Sequence, residues 1–333
     1  MEKYKVPIED MCFVLNELIE INNYAERIND REFGLENLKM IIEEAGKFAS
    51  EKLDSINVVG DKEGIRLENG VVRMPQSFID TYKDFINTGW FSIIGEKKYG
   101  GQNLPFSSVA AINEIWQSTN MSFATNNMLT QGAIELLESH GTEEQKKNYL
   151  PNLISGKWSG TMNLTEPNAG SDLSQIKTKA NINDGNKYKI TGTKIYITHG
   201  DQDMTDNIIH LVLARLPNAP KGVKGISLFL VPKFFNNAEG KRIKNDISVV
   251  SIEHKLGHHA SPTCVLAFGE NEGAIAELIG EPNQGLKAMF TMMNNARLNV
   301  GVQGLAISER AYQKALSFSK DRKQGASLNK NSK

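Results

Sequence analysis

Cysteine is nearly absent: the 333 residues hold two, Cys12 and Cys264, far apart and without C-x-x-C spacing. That excludes a disulfide framework and a thiolate zinc site, and both residues read as ordinary thiols in a reducing compartment. Long apolar runs are missing as well. No stretch reaches the eighteen or so apolar residues of a membrane span, and the opening MEKYKVPIEDMCFVLNELIEI has charges and a proline where a secretory leader needs an apolar core. The expectation is a soluble, cytoplasmic chain with no membrane association. Charge of one sign is also lacking, since 38 Lys plus Arg face 39 Asp plus Glu for a net charge of −1. No global field draws the chain to nucleic acid or to an anionic surface.

The two glycine-rich phosphate loops, G-x-G-x-x-G and G-x-x-x-x-G-K-[ST], do not occur, so any nucleotide cofactor is held by other means. Metal sites fare no better. His254, His258 and His259 cluster without a second ligand set, and they read as exposed loop histidines. DQDMTD at 201–206 begins like a calcium loop, but Asp206 stands where the glycine belongs and Val212 where the closing glutamate belongs. It reads as a solvated turn, and no metal is expected.

What is present is 40% hydrophobic residues, enough for a sizeable core and for two or three domains. From residue 8 to about 155 the spacing is helical. Met11, Leu15 and Leu18 share one face, 33–53 repeats the i, i+3, i+4 pattern, and Asn57–Gly70 reads as a turn-rich interruption. Pro75 opens a helix with Phe78, Ile79, Tyr82 and Phe85 on one side. Two further helices are expected in SSVAAINEIWQS and TQGAIELLESHG, and another after Thr142, an N-cap with Gln145 three residues on.

After Trp158 the period changes. YKITGTKIYITHG, NIIHLVLARL, GISLFLVPK and TCVLAFG are short β-branched and aliphatic runs bounded by Gly, Asn and Pro, which read as strands. Helical spacing returns from Gly285 to near Lys320, followed by the tail GASLNKNSK. Helices, then strands, then helices make an α+β chain rather than alternating βαβ units. The expected domains are a helical one at 1–157, with 1–35 as an extension, a middle β-barrel or sandwich at 158–280, and the first part of a helical bundle at 281–333.

Between these blocks lies GTMNLTEPNAGSDLSQIKTKA, residues 160–180, where neither period survives. Gly170 and Ser171 let backbone approach a ligand, and Thr161, Thr165 and Ser171 offer hydroxyls that donate and accept. Such a set suits the edge of a flat heteroaromatic cofactor, and equally a hydroxyl-capped corner between strand and loop.

WSGTMNLTEPNAGSDLSQIKTKA followed by YKITGTKIYITHG resembles the flavin-binding signature of the acyl-CoA dehydrogenase family. HGTEEQKKNYLPNLISGKW before it and EPNQGLKAMFTMMNNARLNVGVQGLAISERAYQKALSFSKDRKQG after it keep the family's order, so the resemblance covers essentially the whole chain. YKVPIEDMCFVLNEL and the segment from HGDQDMTD to LFLVPK resemble a larger subgroup that takes in 3-methylmercaptopropionyl-CoA and some long-chain enzymes. The resemblance implies FAD as cofactor, with Met162, Leu164 and Thr165 lining the isoalloxazine. It implies Tyr196 packed on the ring, Thr198 near flavin N5, and Arg322 on the pyrophosphate of a neighbouring subunit's FAD. Gly170 and Ser171 match positions beside the acyl thioester and pantetheine, and Arg297 falls with the substrate-side residues. An acyl-CoA substrate, an electron-transfer flavoprotein as acceptor and a homo-oligomer are implied with them.

The family's reaction needs a carboxylate base, carried late in the C-terminal helical domain or immediately before the arginine matching Arg297. That second position is Ala296, and the first belongs to a segment beyond these residues. Glu166 and Asp172 read as structural ligands of loop backbone, and Glu309 as a helix charge three turns past Ala296. The expectation is therefore a C-terminally truncated dehydrogenase with no catalytic residue of its own and no turnover as an isolated chain. A non-catalytic flavin-binding or interaction remnant is the alternative.

Overall fold

Helical spacing before residue 155 and strand spacing after it become separate layers. The computed structural model describes residues 3–28, 33–184, 187–237 and 239–325. Its helices are α1 (Ile8–Phe13), α2 (Ile21–Arg27), α3 (Leu35–Phe48), α4 (Asp54–Glu63), α5 (Gln76–Asn87), α6 (Phe106–His140), α7 (Glu143–Ile154) and α8 (Gly285–Asp321). Its strands are β1 (Arg66–Glu68), β2 (Val71–Arg73), β3 (Trp158–Asn163), β4 (Lys179–Asp184), β5 (Lys187–Thr198), β6 (Asn207–Ala214), β7 (Ser227–Pro232), β8 (Phe234–Asn236), β9 (Arg242–Lys244), β10 (Ile247–Ile252), β11 (Thr263–Phe268) and β12 (Ala274–Ile279). The architecture is the expected α+β order. Most of the tail expected after Gly325 lies outside the described residues.

An aromatic cluster holds the helical domain. Phe78, Tyr82 and Phe85 of α5 meet Phe91, Trp116 and Phe123 in a buried set of edge-on and tilted rings, with Phe85 5.3 Å from Trp116 and 5.5 Å from Phe123. Edge-to-face pairs of this kind add about 0.5–1.5 kcal/mol each beyond the area they bury. Pro75 stands one place outside α5, as its N-cap residue. The Thr142 expectation holds in full, since its hydroxyl accepts from Gln145 N–H at 3.1 Å and Gln145 Oε1 accepts from Thr142 N–H at 3.1 Å.

Three local expectations give way. Asn57–Gly70 is not a run of turns: α4 continues to Glu63 and β1 and β2 form a hairpin. Gly60, within that stretch, is where α4 lies against its neighbours, because a Cβ there would come within 2.5 Å of the Phe78 ring and 2.9 Å of Ala260. The two helices expected between 107 and 141 are one 35-residue helix with a kink at Asn120, whose φ is −151°. Asn120 donates to Leu53 O and accepts from Phe123 N–H, so its side chain supplies bonds the kink removes from the helix ladder. Leu18, expected beside Met11 and Leu15, is 68% exposed. Val14–Leu18 forms a π-turn, whose wider step carries Leu18 off the buried face.

Eight strands form one curled sheet in the order β10-β11-β5-β12-β7-β6-β3, with β4 also paired to β5, while β1-β2 and β8-β9 are separate two-stranded pairs. β6 and β7 are buried along their whole length, one face turned inward to Phe268 and Leu266 and the other against α6, α7 and α8. That is why they read as unbroken apolar runs. α8 starts against the sheet, where Gly285 N–H donates to Ile226 O at 2.9 Å, and runs back along α6 to the N-terminus, where Gln313 bonds Lys5 backbone through both amide groups.

Candidate functional site

Residues 160–163, the start of the stretch read as irregular, belong to strand β3, parallel to β6. The signal was hidden because the inward face is polar: Ser159, Thr161 and Asn163 are fully buried. Asn163 Nδ2 donates to Thr161 Oγ1 at 2.9 Å, and that hydroxyl lies 2.7 Å from His210 Nδ1. Burial, helped slightly by Lys233, pushes His210 down to about 3, so the ring is neutral. On the other face of β3, Met162 is half-buried, and Leu164 just past the strand is half-buried too. Both pack against the core shared by sheet and helices.

The chain then turns across β5. Thr165 O accepts from Ile195 N–H at 2.9 Å, which sets the 162–165 strip beside residues 195–198. β5 is irregular at this place. Its partner β11 sets Leu266 opposite Lys194 and Cys264 opposite Ile197, so β5 carries an extra residue there. The bulge lets Lys194 and Ile197 both point inward although three apart, and it leaves Tyr196 in the left-handed region at φ 59°. A side chain in that region is strained by roughly 1 kcal/mol or more. The Tyr196 ring is thereby turned out of the sheet and is 61% exposed. Thr198, half-buried, ends the strand opposite Thr263.

The loop after Thr165 is fixed from below and open above. Glu166 and Ala169 exchange backbone hydrogen bonds at 3.0 Å, and the tip from Pro167 to Ser171 is exposed except for Ala169. A Cβ on Gly170 would meet nothing within 4 Å, so its surface is free to receive a ligand. Asp172 accepts from Ser174 N–H and Oγ at 2.9 Å, as expected of a loop-ordering carboxylate. Glu166, also expected to bond loop backbone, accepts from Lys177 N–H at 2.6 Å, Thr178 N–H at 3.1 Å and Thr178 Oγ1 at 2.6 Å. Arg215 donates to Ser174 O, Ile176 O and Gly222 O and ties the loop to the next turn.

Lys194 is the residue sequence reading missed. It is fully buried, and its Nζ donates to Leu164 O and to Glu166 Oε1, both at 2.9 Å. Burial holds its ammonium down to about 8 against the opposing pull of Glu166. Burial also works against the Glu166 carboxylate, but Lys194 and the loop donors outweigh it and hold that group below the ordinary carboxylate range. The only trace in the sequence is position: Lys194 lies an even four residues from Ile190 in a strand.

On α8 the expected residues are scattered. Arg297 is exposed, bonded to Asn294 and 5.3 Å from the Phe290 ring. Arg322 caps the far end of the 37-residue helix, which at 1.5 Å per residue is about 55 Å long. The Arg322 side chain bonds Gln324, and the end of α8 before it lies beside Tyr4 and Lys5. DQDMTD is not a solvated turn. Asp201 is buried, accepting from Val72 N–H at 2.8 Å and paired with Lys233 at 2.5 Å, and Asp203 accepts from Met74 N–H, so the segment anchors the β1–β2 hairpin. His259 pairs with Asp61 at 3.0 Å, and no group of three metal-ligating side chains exists among the described residues. None of the described helices is long and apolar enough to cross a membrane.

A strand with a buried polar face, a loop open at a glycine and an outward-turned aromatic on a bulge stand side by side on a helix–sheet–helix scaffold. Residues 36–157 match the family model "Acyl-CoA dehydrogenase, N-terminal domain" and residues 161–270 match "Acyl-CoA dehydrogenase, middle domain". The chain belongs to the acyl-CoA dehydrogenase family. Within it, the chain is 46% identical to a 3-methylmercaptopropionyl-CoA dehydrogenase of Ruegeria pomeroyi, over 96% of this chain and 54% of that protein. Its fold is similar, at TM-score 0.71 and 27% identity, to a chain of the structure titled for the electron transferring flavoprotein of Acidaminococcus fermentans, covering 88% of this chain and 71% of that one. It is also similar, at TM-score 0.70 and 25% identity, to the Bacillus anthracis acyl-CoA dehydrogenase complexed with FAD, covering 87% of this chain and 46% of that one. The chain spans about half the length of the curated relatives it matches.

Proposed function

We propose that the chain forms the flavin- and thioester-facing wall of an FAD-dependent acyl-CoA dehydrogenase. The observation that carries this is the bulge at Tyr196: a non-glycine residue in the left-handed region, its ring 61% exposed beside the Thr165 crossing. Strain of that kind persists where the surroundings over-determine it, and bulges re-aim side chains beside active sites. The residues present fit the group. Tyr196 offers a π face, Met162 and Leu164 half-buried apolar contacts, Thr165 and Thr198 hydroxyls, and the open Gly170–Ser171 tip room for a thioester arm. Bound FAD supplies the hydride acceptor for α,β-dehydrogenation, while a carboxylate removes the α proton.

That carboxylate is not among the groups placed here. Position 296 is alanine, and Glu166 and Asp172 are both engaged in holding the loop. The 333 residues alone are therefore proposed to bind without turning over. An acyl-CoA as substrate, an electron-transfer flavoprotein as acceptor, a homo-oligomer whose second copy brings Arg322 to the cofactor, and a cytoplasmic location extend the same reading. They are supported by the names of the relatives, by Arg322 at the C-terminal end of the 37-residue α8, by exposed Leu298, Leu305 and Ile307 on α8, and by two buried free thiols.

The test is a titration of the folded chain with FAD followed by addition of acyl-CoAs. Saturable flavin binding that weakens about tenfold or more in Tyr196→Ala is expected, since base-like stacking on an aromatic is worth roughly 1–3 kcal/mol. Flavin absorbance is expected to stay unbleached. A folded chain that takes up no FAD overturns the reading, and clear bleaching overturns the argument from the unfilled base position.

A further inference from the structure

The two sides of the proposed flavin wall come from different elements, the 162–165 strip at the end of β3 and the Tyr196 bulge of β5. We infer that the buried Lys194–Glu166 pair is the positioning device that locks these two sides into one frame, so that it sets flavin affinity without touching the flavin. This rests on the reading of the site given above.

The geometry is specific. Lys194 lies two residues before Tyr196 on the bulged strand, and its single ammonium bonds both Leu164 O and Glu166 Oε1 at 2.9 Å. It therefore spans Thr165, whose own carbonyl receives Ile195 N–H. Three consecutive residues of the strip, 164 to 166, are thus bonded to residues 194 and 195 of the strand. Glu166 extends the frame to the far end of the loop through Lys177 N–H, Thr178 N–H and Thr178 Oγ1. The carboxylate joins the beginning of the loop, its end and the strand beneath it, and Ala169 closes the tip onto Glu166 through a pair of backbone bonds.

Apolar side chains would fill the same space. Replacing a buried ion pair by apolar residues is often neutral or stabilising, so stability does not account for charge at this place. An apolar pair, however, cannot hold the Leu164 carbonyl or the Thr178 hydroxyl. Nor does the pair act as base or nucleophile, since it is fully buried and every atom described in it serves the loop. Geometry held to within about half an ångström by bonded supports behind the contact residues is what a precise ligand wall requires.

The deciding experiment compares wild type, Lys194→Met, Glu166→Gln and the double variant Lys194→Met with Glu166→Gln. Three readouts are taken: thermal midpoint, FAD dissociation constant and amide hydrogen exchange resolved by peptide. Each single variant is expected to unfold more easily, because removing one partner of a buried pair strands polar groups of the other. The double variant leaves no charge unpaired and is expected to recover most of the midpoint. It is also expected to bind FAD about tenfold more weakly, and to exchange about tenfold faster at 164–178 and 195–197 than elsewhere, as local opening without global loss requires. Recovery of FAD affinity along with the midpoint would make the pair a stabilising contact and overturn the inference. So would unchanged exchange at those two segments. If wild type binds no flavin, the reading of the site fails, and the exchange comparison, which uses the flavin-free chain, still decides whether the pair locks the frame.

Discussion

The helical domain and the Tyr196 wall are built on opposite principles. The first is held by apolar contact: Phe78, Tyr82, Phe85, Phe91, Trp116 and Phe123 pack edge-on in a buried cluster. The second is held by buried polar groups, with Glu166 receiving four donors, His210 bonded to Thr161, and a bulge that keeps Tyr196 strained. Apolar contacts are non-directional and tolerate drift, whereas hydrogen bonds fix atoms in place and penalise any that lose a partner. Stability resides chiefly in the first region and geometry in the second. Each can be perturbed where the other is not.

The largest effect is expected from the helical side. Phe85→Ala removes the ring that touches Phe48, Phe91, Trp116 and Phe123, and the cavity should cost about 3–5 kcal/mol in denaturant unfolding. If unfolding proceeds through one transition, the FAD affinity of the still-folded fraction should be close to that of wild type. A loss of affinity in excess of the loss of folded chain would show that the wall depends on this core directly.

Acid should act mainly on the other side. His199 and His210 are fully buried and pushed down to about 3, in each case chiefly by burial. Their unfolded value is near 6.5, so below that pH the unfolded chain takes up protons that the folded chain refuses. Stability is complete above about pH 6.5 and falls by about 1.4 kcal/mol per pH unit for each ring until pH approaches 3. Denaturation midpoints between pH 7 and pH 4.5 should drop steeply, and His210→Gln should flatten the slope even if it lowers the midpoint at pH 7. An unchanged slope would mean that the ring is not held neutral.

These two regions also differ in how far the sequence disclosed them. Helix α5, the capping box at Thr142 and the run of α8 follow from spacing, because a 3.6-residue period survives wherever one face is apolar. β6 and β7 are legible as apolar runs because both faces are covered. β3 was not, since its buried face is Ser159, Thr161 and Asn163, and the second half of α4 was hidden in the stretch Asn57–Gly70 read as turn-rich, where Gly60 packs against Phe78. Thr165, Gly170 and Ser171 stand out by their own chemistry, whereas Met162, Leu164, Tyr196 and Thr198 could be named only through the family motif. No local rule announces that Tyr196 occupies a glycine-like conformation, or that a lysine in a strand is turned inward beneath the loop it holds. Local rules fail most where the backbone is strained or where buried polar side chains replace an apolar face, as at Tyr196 and β3.

The smallest effect on stability is the most pointed. Tyr196→Gly removes the strain of a side chain at φ 59°, but glycine also gains freedom in the unfolded chain. Tyr196→Ala keeps the strain and loses the same ring. The two variants should bind FAD equally weakly, while glycine should be the more stable by about 1 kcal/mol, the cost of the left-handed region to a residue with a Cβ. Paired thermal melts of the flavin-free proteins measure that difference. Were alanine as stable as glycine, the bulge would be relaxed around residue 196, and the exposure of the tyrosine would be an incidental result of sheet curvature. A stability gain for glycine with flavin affinity lost would instead show that the chain keeps tyrosine there against its own stability, for the sake of the face the ring presents.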